Sequence, residues 1–154
     1  MRRSFLGCLR FCLSRWFMLL LFGAALAGQA GAQEAQVGGA NARAIEQVIR
    51  AQLDAFSSDD AGKAFSYTAP GIRRAFGTPE NFIAMVRHSY PVVYRPAAVS
   101  FLKPEMVGSE VLQPVRMTDT DGTLWIAIYT MQRQPGGAWL TNGCRLGRTQ
   151  GQVT

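Results

Sequence analysis

The segment Thr78–Phe101 constrains the fold most strongly, because the hydrophobic period of the chain changes within it. It opens with Thr78 and Pro79, a pair typical of the N-cap and first turn of a helix. The apolar-periodic residues that follow end at Pro91, whose ring disfavours helical geometry at Tyr90. Segments of helical period precede this helix, and strand-like segments follow it. This order predicts an α+β domain in which a helical layer packs on a sheet.

Three helices are predicted before the sheet. Asn41 is the expected N-cap of the first helix. The apolar residues of that helix recur at offsets of one helical face: Ile45, Val48, Ile49, Leu53 and Phe56. Residues 57–60 end this helix and cap a shorter one through Phe65, and the third helix starts after Thr78. Between the second and third, residues 68–71 are predicted as a turn and 72–77 as an irregular link.

About four strands are predicted after Pro96, and they form a curved antiparallel sheet. Their predicted ranges are Ala98–Leu102, Glu110–Thr118, Thr123–Arg133 and Ala138–Leu146. Two hairpin turns are predicted at 119–122 and 134–137, because these segments contain glycine, or proline followed by glycine, as such turns require. Pro114 is expected at an edge or a bulge, since it donates no backbone hydrogen bond. Cys144 is expected to be a small core residue, in phase with Leu140 and Leu146.

The segment Leu124–Tyr129 is apolar on both faces. Neighbouring strand residues face opposite sides, so Trp125 and Tyr129 point one way and Ile126 and Ile128 the other. The helices can cover one face. The other face needs a second subunit, the curvature of the sheet itself or a ligand.

The first 32 residues have the pattern of a secretory signal peptide. Its basic residues precede the apolar run and are Arg2, Arg3, Arg10 and Arg15. The run Trp16–Ala27 is shorter than the roughly 20 residues of a membrane span. An A-x-A pattern ends at Ala32. We therefore predict cleavage between Ala32 and Gln33, a periplasmic or secreted protein, and no stable membrane anchor after cleavage.

The predicted mature chain has a simple composition. Four of the 16 Lys and Arg lie in the signal, so 12 basic residues face 10 acidic ones and the net charge falls from +6 to +2. No basic run remains, which argues against a nucleic-acid partner. Cys8 and Cys12 leave with the signal, so Cys144 has no internal partner. We expect a flexible leader at 33–40, one domain at 41–147 and a flexible tail at 148–154.

Several motifs resemble an uncharacterised bacterial family of domains of unknown function (the 4864 type) within the nuclear-transport-factor-2-like, SnoaL-like superfamily. They are Ala69-Pro70-Gly71-Ile72-Arg73, Phe76-Gly77, the run from Tyr90 to Pro96, Asp119-Thr120-Asp121-Gly122 and Gly143-Cys144-Arg145-Leu146. The likeness covers residues 42–146. It implies a cone-shaped fold, in which a curved sheet wraps a helix and leaves a pocket. The family has no assigned activity, so the resemblance implies no chemistry.

Few residues are candidates for chemistry. His88 is the single histidine, which argues against a multi-histidine metal centre, and it is a weak candidate for a general base. Asp119 and Asp121 resemble half of a calcium loop, but a hairpin turn explains them better. Among the basic residues, Arg73, Arg74, Arg87 and Arg95 could converge on an anion. No metal or cofactor is predicted.

Aromatic side chains with polar groups are the better candidates for ligand contacts, since such residues recur in mostly apolar pockets. The predicted ligand-binding set is Phe82, Tyr90, Tyr94, Arg95, Trp125 and Tyr129.

The leading hypothesis is an exported, non-catalytic binding domain for a small apolar ligand, which could form a homodimer through its sheet. The alternative is a small-molecule isomerase or lyase with a single base in the pocket.

Overall fold

The structure is a computed structural model, and it describes residues 37–148. In this part of the chain the helices precede the strands. The helices are α1 (Gly39–Ser57), α2 (Ala61–Ser66), α3 (Pro70–Phe76), α4 (Pro79–Ser89) and α5 (Pro91–Tyr94). The strands are β1 (Ala98–Phe101), β2 (Glu105–Val107), β3 (Glu110–Thr118), β4 (Leu124–Arg133) and β5 (Trp139–Arg148). The predicted α+β class is confirmed, with two short helices and one short strand more than predicted.

Helix α1 follows the predicted apolar stripe but starts earlier than predicted. Its N-cap is Gly38, so Asn41 lies within the first turn instead of capping it. Ile45, Ile49 and Phe56 are buried against the sheet and the other helices. The apolar stripe was therefore predicted correctly. The start of the helix was wrong because asparagine is a more typical N-cap residue than the glycine that caps this helix.

The link predicted as irregular is the helix α3. Pro70 is its first residue, a position where the missing N–H of proline leaves no intrahelical bond unmade. The helix ends at Gly77, whose φ of 72° suits a residue without a Cβ. Helix α5 likewise begins with a proline, Pro91. Pro70 was predicted to lie in a turn and Pro91 to end the preceding helix; each also begins a helix that was not predicted.

Helix α4 confirms its predicted start and end. The Thr78 hydroxyl accepts a hydrogen bond from the backbone N–H of Asn81 at 3.2 Å, and Pro79 is the first helical residue. Tyr90 then caps the end of the helix. The chain turns directly into α5, which brings it to the sheet.

The sheet is antiparallel with the order β1-β3-β4-β5, and β2 pairs with β3 as well. Both β1 and β2 pair with β3, at residues 115–118 and 110–112 respectively. Thr68 adds an isolated bridge to Thr141 of β5. The connection into α3 is thereby attached to the last strand.

Pro114 was expected at an edge or a bulge, and it lies at an irregularity of this kind, because the three residues 102–104 face only the two residues 113 and 114 of β3. It lies within β3 and pairs with Ile128 of β4, at the gap between β1 and β2. Its carbonyl accepts from the N–H of Leu102 at 3.0 Å, but proline has no N–H to donate in return. The buried Gln113 side chain donates to the Leu102 carbonyl instead, at 2.7 Å. A side-chain amide thus completes the ladder that proline interrupts.

A bulge changes the phase of β5. Thr130 pairs with Gly143 and Met131 pairs with Thr141, so Asn142 is passed over. Cys144 therefore lies on the helix-covered face and Leu140 on the other. The predicted common phase of these two residues was wrong.

The two faces of β4 have different surroundings. Tyr129 is buried beneath the helices, and Trp125 is half-buried on the same face. Ile126 and Ile128 lie on the opposite, outer face and are half-buried. The apolar character of both faces is as predicted.

Residues 37–148 include no helix with the length and apolarity needed to cross a membrane. The predicted signal peptide lies outside the described residues, as do residues 33–36 of the predicted leader and the residues after Arg148. The last two residues of the predicted leader, Gly39 and Ala40, lie in α1.

Candidate functional site

The helices and the sheet surround a cavity of about 220 Å³, which we call the apolar cavity. Side chains from α1, α3, α4, α5, β4 and β5 line it, and most of them are aliphatic or aromatic. They are Gln52, Phe56, Thr68, Ile72, Phe76, Phe82, Met85, Val86, Tyr90, Val93, Tyr129, Thr141, Gly143 and Cys144. None of these residues from the described part of the chain carries a charge at neutral pH.

One side of the apolar cavity is deep and the other approaches solvent. Phe56 and Tyr129 at the deep side are almost fully buried. Ile72, Met85 and Cys144 are half-buried. They come from α3, α4 and β5, so the cavity is less deeply buried on the side of these elements.

The amide of Gln52 is paired at the deep side. It donates to the Ala64 carbonyl at 3.0 Å and accepts from the Thr141 hydroxyl at 3.0 Å. The Thr68 hydroxyl donates to the Phe65 carbonyl at 2.6 Å. These groups are satisfied by the protein, as buried polar groups usually are.

Tyr129 is the exception. Its side chain is 1 % exposed, and its hydroxyl has no hydrogen-bond partner among the described residues. Burial raises the pKa of Tyr129 well above its ordinary value, and the nearby Cys144 adds to this. Burial also raises the pKa of Cys144 to about 12. Both groups therefore keep their protons at neutral pH, and the Tyr129 hydroxyl remains an unused donor.

A second concavity, which we call the polar groove, lies at another place on the domain. It has a volume of about 630 Å³. Charged and aromatic residues line it, and they are Asp59, Arg87, Pro91, Val92, Tyr94, Arg95, Asp119, Thr120, Asp121 and Trp125.

Asp59 is the centre of the polar groove. It has a φ of 58°, a left-handed conformation that aspartate tolerates better than most residues. Its carboxylate accepts from the Tyr94 hydroxyl and pairs with Arg87 at 3.3 Å and Arg95 at 2.8 Å. Both guanidinium groups also lie over the Tyr94 ring, at 5.1 and 5.3 Å from its centroid. These groups therefore satisfy one another.

Asp119 organises the other wall of the polar groove. Its carboxylate accepts from the backbone of Asp121 at 3.0 Å and of Thr123 at 2.8 Å, and from the Trp125 indole N–H at 2.8 Å. The Trp125 hydrogen bond is the main cause that lowers the pKa of Asp119. Gly122 has the positive φ that the turn requires. The hairpin interpretation is thus confirmed. Among residues 37–148, no group of three or more His, Cys, Asp or Glu could hold a metal ion.

The structure divides the predicted ligand-binding set between the two concavities. Phe82, Tyr90 and Tyr129 line the apolar cavity. The other three residues, Tyr94, Arg95 and Trp125, line the polar groove. The sequence could not distinguish these two environments.

His88 and the arginines have other surroundings. His88 is exposed in the last turn of α4 and lines neither concavity. Arg73 donates to the carbonyls of Ser66 and Thr68, at 2.7 and 2.8 Å. Arg87 and Arg95 do converge, but on a carboxylate of the chain itself.

Sequence reasoning missed Gln52 and the residues of α3. Gln52 follows Ile49 by three positions and precedes Phe56 by four, so it falls on the apolar stripe of α1. A polar residue on such a stripe is the signal that could have identified it. Ile72 and Phe76 were missed because no helix was predicted there.

A family model described as "Domain of unknown function (DUF4864)" matches residues 39–154. This match confirms the resemblance predicted from the motifs. No curated protein gives a significant match. A similar solved structure is the crystal structure of an NTF2-like protein of unknown function from Shewanella baltica OS155. It is 9 % identical, covers 75 % of this chain and 98 % of its own, and has a TM-score of 0.49.

Proposed function

The chain belongs to the family of domains of unknown function DUF4864, and we propose that it is an exported domain that binds a small, mostly apolar molecule in the apolar cavity. The observation that carries this proposal is the cavity itself. Its walls come from both layers of the fold, and its lining is apolar apart from a few polar groups. Small-molecule sites in proteins have this character.

The volume of the cavity limits the size of the ligand. An apolar cavity of roughly 150 Å³ is enough to hold benzene, and this cavity has about 220 Å³. Drug-sized ligands occupy sites of roughly 300 Å³ or more. The cavity therefore suits a molecule with one ring, or a short branched chain.

The lining favours binding over an isomerase or lyase reaction. Among the described residues, those that line the cavity include no carboxylate and no histidine, and His88 is exposed elsewhere. The titratable groups Tyr129 and Cys144 have pKa values raised by burial, so neither is a proton acceptor at neutral pH. Abstraction of a proton from a bound substrate would lack its base.

Export is supported by the N-terminal pattern of a basic segment, an apolar run and an A-x-A motif that ends at Ala32. The test is to determine the N-terminus of the protein recovered from the periplasm or medium of a bacterial host. Gln33 is expected as the first residue. Full-length chain retained in the cytoplasm would contradict this part of the proposal.

The outer face of the sheet supports self-association with a second copy. Ile126 and Ile128 lie at its centre. Arg116 and Arg145 flank these isoleucines on the neighbouring strands, and Glu105 and Glu110 lie toward one end of the face. A two-fold axis that runs across the strands brings the glutamates of one copy toward the arginines of the other. Light scattering should give the mass of a dimer, and Ile128→Glu should give a monomer. A wild-type monomer at micromolar concentrations would contradict the dimer.

Binding can be tested with fluorobenzene as probe, observed by fluorine NMR. The variant Cys144→Phe adds a ring to the cavity lining and should lower the probe affinity by at least about tenfold, because the ring takes the volume that the probe needs. Cys144→Ala is the matched control, since it also removes the thiol but leaves the space open.

Equal probe affinity in Cys144→Phe, Cys144→Ala and the wild-type protein would place the probe outside the cavity and contradict the proposal. Thermal unfolding of the three proteins checks that each is folded.

A further inference from the structure

Resting on the proposed binding function, we infer that the ligand is uncharged and carries a carbonyl-type oxygen that accepts a hydrogen bond from the Tyr129 hydroxyl. The inference assigns this hydroxyl as the polar contact that orients the ligand within the apolar cavity. It specifies a chemical class, single-ring ketones, aldehydes, esters or amides, which the volume of the cavity alone does not.

The first step concerns the lack of a protein partner. Tyr129 is 1 % exposed, and its hydroxyl is unpaired within residues 37–148. Gln52 and Thr141 line the same cavity, but they are paired with each other, and Gln52 also donates to a backbone carbonyl. An unpaired buried hydroxyl is costly to the fold. A ligand group that enters the cavity and accepts this hydrogen bond removes that unfavourable free energy, which makes binding of the ligand more favourable.

The second step concerns the direction of the hydrogen bond. Burial raises the pKa of Tyr129 well above its ordinary value, so the phenol keeps its proton. A phenol oxygen shares its lone pairs with the ring and is a better donor than acceptor. The neighbouring thiol of Cys144 is only a weak acceptor. The missing partner is therefore an acceptor oxygen.

The third step concerns charge. The residues that line the cavity within the described chain are all neutral, because the Cys144 and Tyr129 protons are retained. The two arginines of the polar groove, Arg87 and Arg95, are already paired with Asp59. A carboxylate or an ammonium in the apolar cavity would be buried without a counter-charge, which is strongly unfavourable.

The fourth step concerns shape. Phe82 lies between Phe65 and Phe76, with ring centroids 5.5 Å away in both cases, and Phe56 is at 5.9 Å. The rings are tilted or edge-on to one another. Aromatic rings prefer such arrangements, so a flat aromatic ring can join this cluster.

The experiment compares three compounds that share a phenyl ring and a similar size. Acetophenone carries the carbonyl, α-methylstyrene replaces that oxygen with a methylene group, and benzoate carries a charge. Their dissociation constants are measured by NMR titration with the wild-type protein and with Tyr129→Phe. Acetophenone should bind the wild-type protein about five- to tenfold more tightly than α-methylstyrene. In Tyr129→Phe the two affinities should become about equal, and benzoate should bind neither protein in this range.

A second measurement uses the wild-type protein alone, in case the variant is poorly folded. The Cζ carbon signal of Tyr129, from protein with labelled tyrosine, should shift on addition of acetophenone and move much less with α-methylstyrene. Agreement of both measurements supports the assignment of the Tyr129 hydroxyl.

The outcomes separate this inference from the proposed function. If acetophenone and α-methylstyrene bind the wild-type protein equally, the cavity binds apolar molecules but the hydroxyl is not the contact, and the inference is overturned. If benzoate binds as tightly as acetophenone, the uncharged class is overturned. If none of the three compounds binds, the proposed function fails and the inference fails with it.

Discussion

The apolar cavity and the polar groove both contain a buried tyrosine, and the two hydroxyl groups have opposite surroundings. The Tyr94 hydroxyl of the groove donates to Asp59 and accepts from Arg87. The Tyr129 hydroxyl of the cavity has no partner among residues 37–148. The groove has the larger volume and more charged groups, but the hydroxyl of its buried tyrosine is fully paired within the chain. The apolar cavity is the better candidate for ligand binding because its buried tyrosine has an unpaired hydroxyl, and not because of its volume or charge.

The polar groove has a structural role. Asp59 lies in the turn between α1 and α2, Arg87 lies in α4, and Tyr94 ends α5. Their hydrogen bonds connect three parts of the helical layer at one point. We therefore interpret the cluster as a clamp that holds these helices over the sheet.

Phe56 links the two regions, and its truncation should have the largest effect on stability. The side chain is 2 % exposed and lies between Phe82 of the cavity and Tyr94 of the groove, at centroid distances of 5.9 and 6.3 Å. Phe56→Ala should lower the free energy of unfolding by about 3–5 kcal/mol, because it removes a buried ring from both clusters. Urea unfolding followed by fluorescence measures this.

Phe56→Leu is the matched control for this prediction, since it keeps much of the apolar volume. Its loss should be clearly smaller than that of Phe56→Ala. A loss below about 1 kcal/mol for Phe56→Ala would show that the two regions do not depend on a shared wall.

Removal of the tyrosine hydroxyl should lower stability at Tyr94 but not at Tyr129. Tyr94→Phe should lower the free energy of unfolding by about 1–2 kcal/mol, because Asp59 and Arg87 lose a partner. Tyr129→Phe should leave it unchanged or raise it by up to about 1 kcal/mol, because it removes a buried polar group that nothing in the described chain satisfies. The two variants are chemically identical changes, so each serves as the control for the other in urea unfolding of the ligand-free protein.

If Tyr129→Phe were destabilised as much as Tyr94→Phe, the proposed difference between the two hydroxyl groups would be contradicted. That result would mean that the Tyr129 hydroxyl already has a partner of equal strength. The acetophenone affinity of the two variants should also differ, since Tyr94→Phe should leave acetophenone binding unchanged.

Local signals accounted for much of the fold. The stripe of α1 and the Thr78–Pro79 start of α4 depend on neighbours within a turn or two of helix, and both were predicted correctly. Strand positions were also predicted well, because alternation and turn residues are local. The division of Trp125 and Tyr129 from Ile126 and Ile128 likewise follows from the pleat alone.

The candidate site was harder to predict because it depends on distances between faces. Periodicity shows that Tyr90 and Tyr94 belong to apolar surroundings, but not that one lines the cavity and the other the groove. A bulge at Asn142 reverses the phase of β5 and brings Cys144 to the cavity. This bulge could not be predicted from the pattern of residues. The partners of Gln52 lie on α2 and β5. Whether a buried hydroxyl is left unpaired is decided by such non-local contacts.

The smallest expected effect tests the charges of the polar groove. Asp59→Asn keeps a residue that tolerates the left-handed conformation and removes the carboxylate that pairs with Arg87 and Arg95. These ion pairs are half-exposed, with side-chain exposures of 49–59 %, so the loss of stability should be below about 1 kcal/mol. The difference should shrink further in about 1 M salt, which screens exposed charges.

Asp121→Asn is the matched control in the same groove, because the Asp121 carboxylate makes no hydrogen bond or ion pair within residues 37–148. Its stability should match the wild-type value in urea unfolding at both salt concentrations. If Asp59→Asn cost several kcal/mol independently of salt, the clamp would be a buried electrostatic centre. If instead it left stability unchanged and abolished binding of acetophenone, the groove would take part in recognition, and its contrast with the apolar cavity would no longer hold.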